Sequence, residues 1–202
     1  MQERFSQPGK RALDVLLATL CLALIAPFMI VTALAVKLAD GGPVFYRQRR
    51  VGRAGRTFEM IKFRSMVVNA ERLKAGLHHR NVTNGLLFKV DGDPRITGVG
   101  RIIRRLSIDE LPQLWNVLRG EMSMVGPRPL PVEPADFGFL DNLRHRVPPG
   151  ITGYWQLSGG NGLSYEDMIR LDLAYIQNWS LWLDLRLLVR TIPALLVRDG
   201  PC

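Results

Sequence analysis

VLLATLCLALIAPFMIVTALAV, residues Val15 to Val36, is a run of 22 residues without a charge. It passes the roughly 18-residue length at which an apolar run reads as a membrane helix. Only Thr19 and Thr32 break its apolar character, whereas a buried helix of a soluble protein usually keeps a polar face. Pro27 interrupts the run and Lys37 follows it in place of a small-residue cleavage site, which argues against a removable signal peptide.

Working outward, both flanks are basic: Lys10 and Arg11 before the run, and Lys37, Arg47, Arg49, Arg50 and Arg53 after it. Lys and Arg are enriched on cytoplasmic flanks, so both ends read as cytoplasmic. Pro27 removes the amide that would bond the Ala23 carbonyl, and each half is about 15–18 Å long, too short to cross a ~30 Å core. The expectation is a re-entrant helix broken at Ala26-Pro27, entering and leaving by one face. A proline-kinked span is the competing reading.

The whole chain has 202 residues, 47% of them apolar and 22% charged, which excludes wholesale disorder. The net charge of +9 is unevenly placed. Residues 1–40 carry +1, residues 41–108 carry +11 and residues 109–202 carry −3. A basic middle calls for an anionic partner: a phosphate-rich ligand, nucleic acid or an acidic membrane surface. Cys21 and Cys202 make no disulfide framework, which fits a reducing compartment. Two parts are expected, residues 1–40 as the re-entrant membrane helix and residues 41–202 as a cytoplasmic, membrane-associated domain. Together they form one functional unit.

Val44-Phe45-Tyr46 and Thr57 to Ile61 flank the glycine-bearing Gly52-Arg53-Ala54-Gly55, the pattern of a β-hairpin. Lys62-Phe63-Arg64 then alternates basic and apolar groups, which by itself describes a solvated strand face. Ile102 to Leu106 reads as a short helix with two arginines, and Ser164 with Asp167 as a capping box opening a late helix. Beyond it, Trp179, Leu181, Trp182, Leu183, Leu185 and Leu187 to Val189 are interspersed with Asp184, Arg186 and Arg190. That mixture suits a helix in the lipid headgroup layer, and equally a core-facing helix. The predicted fold class is α+β and mostly helical, with a small hairpin and interfacial amphipathic helices.

Chemistry concentrates in Arg104-Arg105-Leu106-Ser107-Ile108-Asp109-Glu110-Leu111-Pro112. Pro112 is tolerated in a first helical turn, which predicts a helix beginning at about Asp109. Starting it at a Ser107 cap leaves Pro112 a turn too deep. Either start puts two adjacent carboxylates at a helix N-terminus near two guanidinium groups, an arrangement that favours their ionised forms. An ionised carboxylate is a nucleophile toward phosphorus and a ligand for Mg²⁺; plain capping is the alternative. Pro127 and Pro129 hold Arg128 on extended backbone, a rigid presentation suited to bidentate phosphate binding or simply a stiff loop. Asp91-Gly92-Asp93 imitates a metal-binding DxD, but it is short and its glycine and proline context reads as a turn.

SIDELPQLWNVLRGEMS (Ser107–Ser123), VGPRP (Val125–Pro129), PGITG (Pro149–Gly153) and Leu171-Asp172 together resemble the bacterial sugar transferase family, the monotopic phosphoglycosyl transferases. The resemblance runs from Lys10 to about Val197, and it is to the catalytic core that longer members carry at their C-terminal end. It implies transfer of a sugar 1-phosphate from a UDP-sugar to polyprenyl (undecaprenyl) phosphate, with release of UMP. This is the first membrane step of exopolysaccharide, O-antigen or glycoconjugate synthesis. Asp109 matches the family's nucleophile, which forms a phosphosugar–aspartyl intermediate. Glu110 matches its dyad partner, proposed to assist proton transfer and, with Asp109, to hold Mg²⁺. Arg104 and Arg128 match phosphate-associated arginines, the latter framed by Pro127 and Pro129. Lys62 and Arg64 match basic positions near the membrane-facing site, and Pro27 matches the helix-breaking proline.

Two positions depart from the pattern. Ala26 stands where many members have Ser, and Gly159-Gly160-Asn161 stands where many carry an Arg after a Gly. The expected partners are a UDP-sugar, a polyprenyl phosphate and one leaflet of the inner membrane, with the catalytic domain on the cytoplasmic face. Nucleic acid is not among them, because few aromatics interleave with the basic groups of the middle third. A catalytically inactive scaffold is the rival suggested by Gly160.

Overall fold

A computed structural model of the protein describes residues 8–81, 88, 90, 92–131, 139–159 and 163–197. It is mostly helical. Helix α1 spans Pro8–Asp40 and is followed by the hairpin β1 (Phe45–Val51) and β2 (Thr57–Phe63). Then come α2 (Ala70–Lys74), α3 (Gly98–Arg105), α4 (Gln113–Arg119), β3 (Ser123–Val125) and α5 (Phe139–Arg144). Strand β4 (Gly150–Thr152) leads into α6 (Tyr154–Leu157), α7 (Tyr165–Asn178) and α8 (Leu181–Val197).

The expected hairpin is present: β1 and β2 pair antiparallel, Phe45 opposite Phe63 and Val51 opposite Thr57. Gly55, at φ +75°, closes its loop. A second sheet, not foreseen in the sequence, is the parallel pair β3 and β4. It requires bare backbone, since a Cβ on Gly150 would lie 2.0 Å from the Gly126 nitrogen and one on Gly126 2.6 Å from the Pro148 carbonyl oxygen. Ser164 caps α7 as expected, accepting from the Asp167 amide at 3.1 Å.

Helix α1 runs as one helix from Pro8 through Ala26 and Pro27 to Asp40, so the proline lies inside it and does not end it. One face of it packs on the domain on both sides of the proline. Ala18, Cys21, Leu22 and Ile25 join one core cluster with Val117, Met122 and Leu187, while Met29, Ala33 and Val36 join another with Phe63, Ile103 and Ile108. Tertiary contact before and after Pro27 holds the helical path that the lost amide would weaken. The opposite face carries Leu16, Leu20, Leu24, Phe28, Val31, Leu34 and Leu38, all exposed, with Leu24 at 83%.

Both ends of α1 are bonded to the same domain. Lys10 is no solvated flank: it is 3% exposed, and its Nζ donates to Ser123 Oγ and Asp184 Oδ2, each at 2.7 Å. Arg11 donates to the Val117 and Leu118 carbonyls at the end of α4, the helix pole that favours cations. At the other end Asp40 pairs with Arg64. In α8, Asp184 and Leu187 face the core, whereas Trp182, Leu185, Val189 and Ile192 form an exposed stripe. Trp179, just ahead of α8, is buried and donates to Asp184 at 3.2 Å.

Candidate active site

Asp109 and Glu110 lie on a 3-10 turn, Ile108–Glu110, and not on an α-helix. Helix α3 ends at Arg105, and Ser107 takes a left-handed conformation at φ 54°, an uncommon one for a residue with a Cβ. The chain continues in three-residue turns, Glu110 bonding back to Ser107 and Leu111 to Ile108. Pro112 then caps α4, which starts at Gln113. The expected α-helical start at Asp109 is therefore displaced by four residues, and its dipole acts farther from the dyad than the sequence implied. Buried Asn116 locks α4 to β2: its Oδ1 accepts from the Ile61 amide and its Nδ2 donates to the Glu59 carbonyl.

The hairpin brings Lys62 to the dyad and the glycine-tight sheet brings Arg128. Lys62 Nζ donates to Glu110 Oε1 at 2.7 Å, and Arg128 Nη2 reaches the same oxygen at 3.2 Å. Behind it, the Arg128 guanidinium lies over the Trp155 ring, 5.4 Å from its centroid. The Pro127 carbonyl accepts from Gly150, and the Pro129 carbonyl accepts from Arg50 at 3.2 Å. Arg50, Met60, Glu110, Gln113, Arg128, Pro129 and Gly150 line a recess at this point.

The two carboxylates are electrostatically unlike. Burial pushes Asp109 up to about 6; the Glu110 charge adds to this, and Lys62, Arg104 and Arg128 pull back without overcoming it. Burial also opposes ionisation of Glu110, but there the adjacent Lys62 and Arg128 prevail and hold it well below the usual range. The expectation that both carboxyls are low is thus corrected for Asp109, which is 7% exposed.

Of the remaining expected residues, Arg104 is half-buried in α3, near enough for its charge to act on Asp109. Arg64 is engaged elsewhere, with both terminal nitrogens on Asp40 and its Nε on the Pro43 carbonyl, and so braces the end of α1. Asp93 of the DxD look-alike is buried against Arg95, with Nη2 to Oδ2 at 2.6 Å; Asp91, Gly160 and Asn161 lie outside the described residues. Arg50 was read in the sequence only as a membrane flank, yet burial and the Arg128 charge push it down to about 10. Its place in the hairpin, opposite Phe58, was the available signal.

The donor set fits Mg²⁺. Asp109 accepts no hydrogen bond among the described residues, and Glu110 spends its Oε1 on two cations. Among the described residues no group of three or more His, Cys, Asp or Glu assembles. Mg²⁺ commonly takes one or two carboxylates and completes its shell with water and substrate phosphates, so a two-carboxylate site suffices.

The chain matches the bacterial sugar transferase family over residues 5–198. It is 43% identical over 199 residues to the exopolysaccharide production protein ExoY of Sinorhizobium fredii, covering 95% of this chain and 87% of that one. It is 41% identical to the undecaprenyl-phosphate galactose phosphotransferase of Salmonella typhimurium, covering 99% of this chain but 43% of that protein. The undecaprenyl-phosphate glucose phosphotransferase of Komagataeibacter xylinus is 45% identical over 91% of this chain and 35% of its own length. The chain thus spans most of the first relative and less than half of the other two.

Proposed function

The chain belongs to the bacterial sugar transferase family, and from that premise we propose that it moves a sugar 1-phosphate from a UDP-sugar to undecaprenyl phosphate. An Asp109 oxygen attacks the sugar-bearing phosphorus. The bond from that phosphorus to the bridging oxygen breaks, and UMP leaves with the electron pair. An oxygen of the lipid phosphate then attacks the same phosphorus and returns Asp109 as a carboxylate. Each half-reaction uses the same site in turn, so the two anionic substrates never bind together.

The carrying observation is the pairing of an Asp109 carboxylate that accepts no hydrogen bond among the described residues with a neighbour held by Lys62 and Arg128. Nucleophilic carboxylates need a free lone pair, and the incoming phosphates need cations. Glu110, ionised and doubly paired, orients Lys62 and Arg128. Mg²⁺ held by Asp109 and Glu110 would offset charge on the diphosphate. Lys62, Arg128 and Arg104 draw the anionic donor to the recess and orient it.

The membrane placement proposed is monotopic and inner-membrane, with the domain on the cytoplasmic face. Support comes from α1: both ends are bonded to one domain while its outer face is apolar. Covering seven such side chains with lipid is worth on the order of 10 kcal/mol. The outer stripe of α8, Trp182 to Ile192, with Arg186 and Arg190 beside it, extends the contact at headgroup level.

The test is release of UMP from UDP-galactose, UDP-glucose or UDP-N-acetylgalactosamine by the nanodisc-embedded protein. Release must depend on undecaprenyl phosphate for turnover, and a phosphosugar adduct must appear by intact mass without it. No UMP from any UDP-sugar refutes the proposal.

A further inference from the structure

Beneath the Arg128 loop lies a buried ion pair. Arg144, the last residue of α5, and Asp172, midway along α7, are each 1% exposed and meet side chain to side chain. The same Arg144 Nη2 that meets Asp172 also donates to the Arg128 main-chain carbonyl at 2.7 Å. Its Nε and Nη1 have no acceptor among the described residues. A buried ion pair is by itself a poor device for stability; an apolar pair of the same volume would often serve the core as well or better. What this pair achieves is geometric. It ties the backbone of Arg128 to α7, while the Trp155 ring underlies the Arg128 guanidinium.

We propose that Arg144 and Asp172 are positioning residues for Arg128: Asp172 orients Arg144, and Arg144 fixes the carbonyl from which the Arg128 side chain is aimed at Glu110 and the substrate phosphate. The inference rests on the reading of Arg128 as a phosphate clamp. Three links run in series, from α7 through Asp172 and Arg144 to the loop between Pro127 and Pro129. Loss of either inner link leaves the Arg128 charge in place but frees its direction, and a bidentate contact depends on direction.

A double-mutant cycle tests this, using the full chain in nanodiscs with undecaprenyl phosphate and the UDP-sugar that releases UMP. R128K is expected to lower kcat/KM roughly 10- to 150-fold, because lysine lacks the planar two-donor fork. R144K and D172N are each expected to lower it about 5- to 30-fold, the range of one or two hydrogen bonds. Combined with R128K, each should add less than threefold, while each shifts the thermal midpoint equally in both backgrounds. D172N, nearly isosteric, carries the test if R144K fails to fold. Losses that multiply with that of R128K, or parental activity in R144K and D172N, overturn the positioning role and leave the clamp standing. Parental activity in R128K instead overturns the clamp, and the proposal with it.

Discussion

Asp109→Asn should stabilise the protein at neutral pH while abolishing turnover. Asparagine has nearly the shape of aspartic acid but no charge to desolvate. Burial raises the Asp109 carboxyl from its ordinary 3.8 to about 6. At about 1.4 kcal/mol per pH unit, keeping it ionised costs the folded state ~3 kcal/mol. The sign follows from linkage: a raised folded value means stability that is complete below pH 3.8 and lost as pH climbs through about 6. Parent and variant should therefore melt together at pH 4 and diverge by pH 7.5. For a chain of this size ~3 kcal/mol corresponds to roughly 6–12 °C in thermal midpoint. Differential scanning fluorimetry in nanodiscs at both pH values reads the difference, alongside UMP release and intact mass at pH 7.5. Equal midpoints at pH 7.5 refute the desolvated carboxylate, and a substantial residual rate refutes Asp109 as the nucleophile.

Turnover by the parent should fall as pH drops through about 6, with the loss of ionised Asp109, and Lys62→Met should move that limb upward. A pH–rate profile with an unmoved limb would show that Lys62 does not act on Asp109. With Cys21 and Cys202 replaced by serine, cysteines introduced at exposed Gly9 and Arg47 should label from the same side of sealed vesicles. Labelling from opposite sides would establish a span. Gly150→Ala drives a methyl into the Gly126 backbone and should destabilise by about 3 kcal/mol, measured by denaturant midpoint. A parental midpoint would mean the loop tolerates a wider separation of β3 and β4.

The apolar run, the hairpin and the Ser164 cap were legible because each is written in local order: uninterrupted length, a glycine loop between alternating strands, a hydroxyl three residues ahead of an acid. The dyad was legible as a pair, but its asymmetry was not. Whether a carboxyl sinks or surfaces depends on Lys62 and Arg128, 48 and 18 residues away in sequence. Pro112 pointed to a helix start at Asp109 because proline suits any first turn; the left-handed Ser107, which sets the actual geometry, has no such residue signature. Strands β3 and β4 are three residues each, too short to show a period. Arg50, Arg64 and Arg144 look alike in the sequence, and only their partners separate a recess lining, a brace and a buried tie.

On the membrane placement proposed above, the continuity of α1 with the cluster of Val36, Phe63, Ile103 and Ile108 governs how the site would meet a lipid substrate. Ile108 precedes Asp109, so α1 and the proposed nucleophile are joined through solid packing, with no tether between them. An enzyme on a flexible stalk would sample many heights above the headgroups and wait for the right one. Here the height is a fixed dimension of the molecule, as rigid as the core itself. With the outer face of α1 in lipid, the carboxylate stands at one level from the moment the chain folds, and a shift of the helix along its axis would move the chemistry by the same distance.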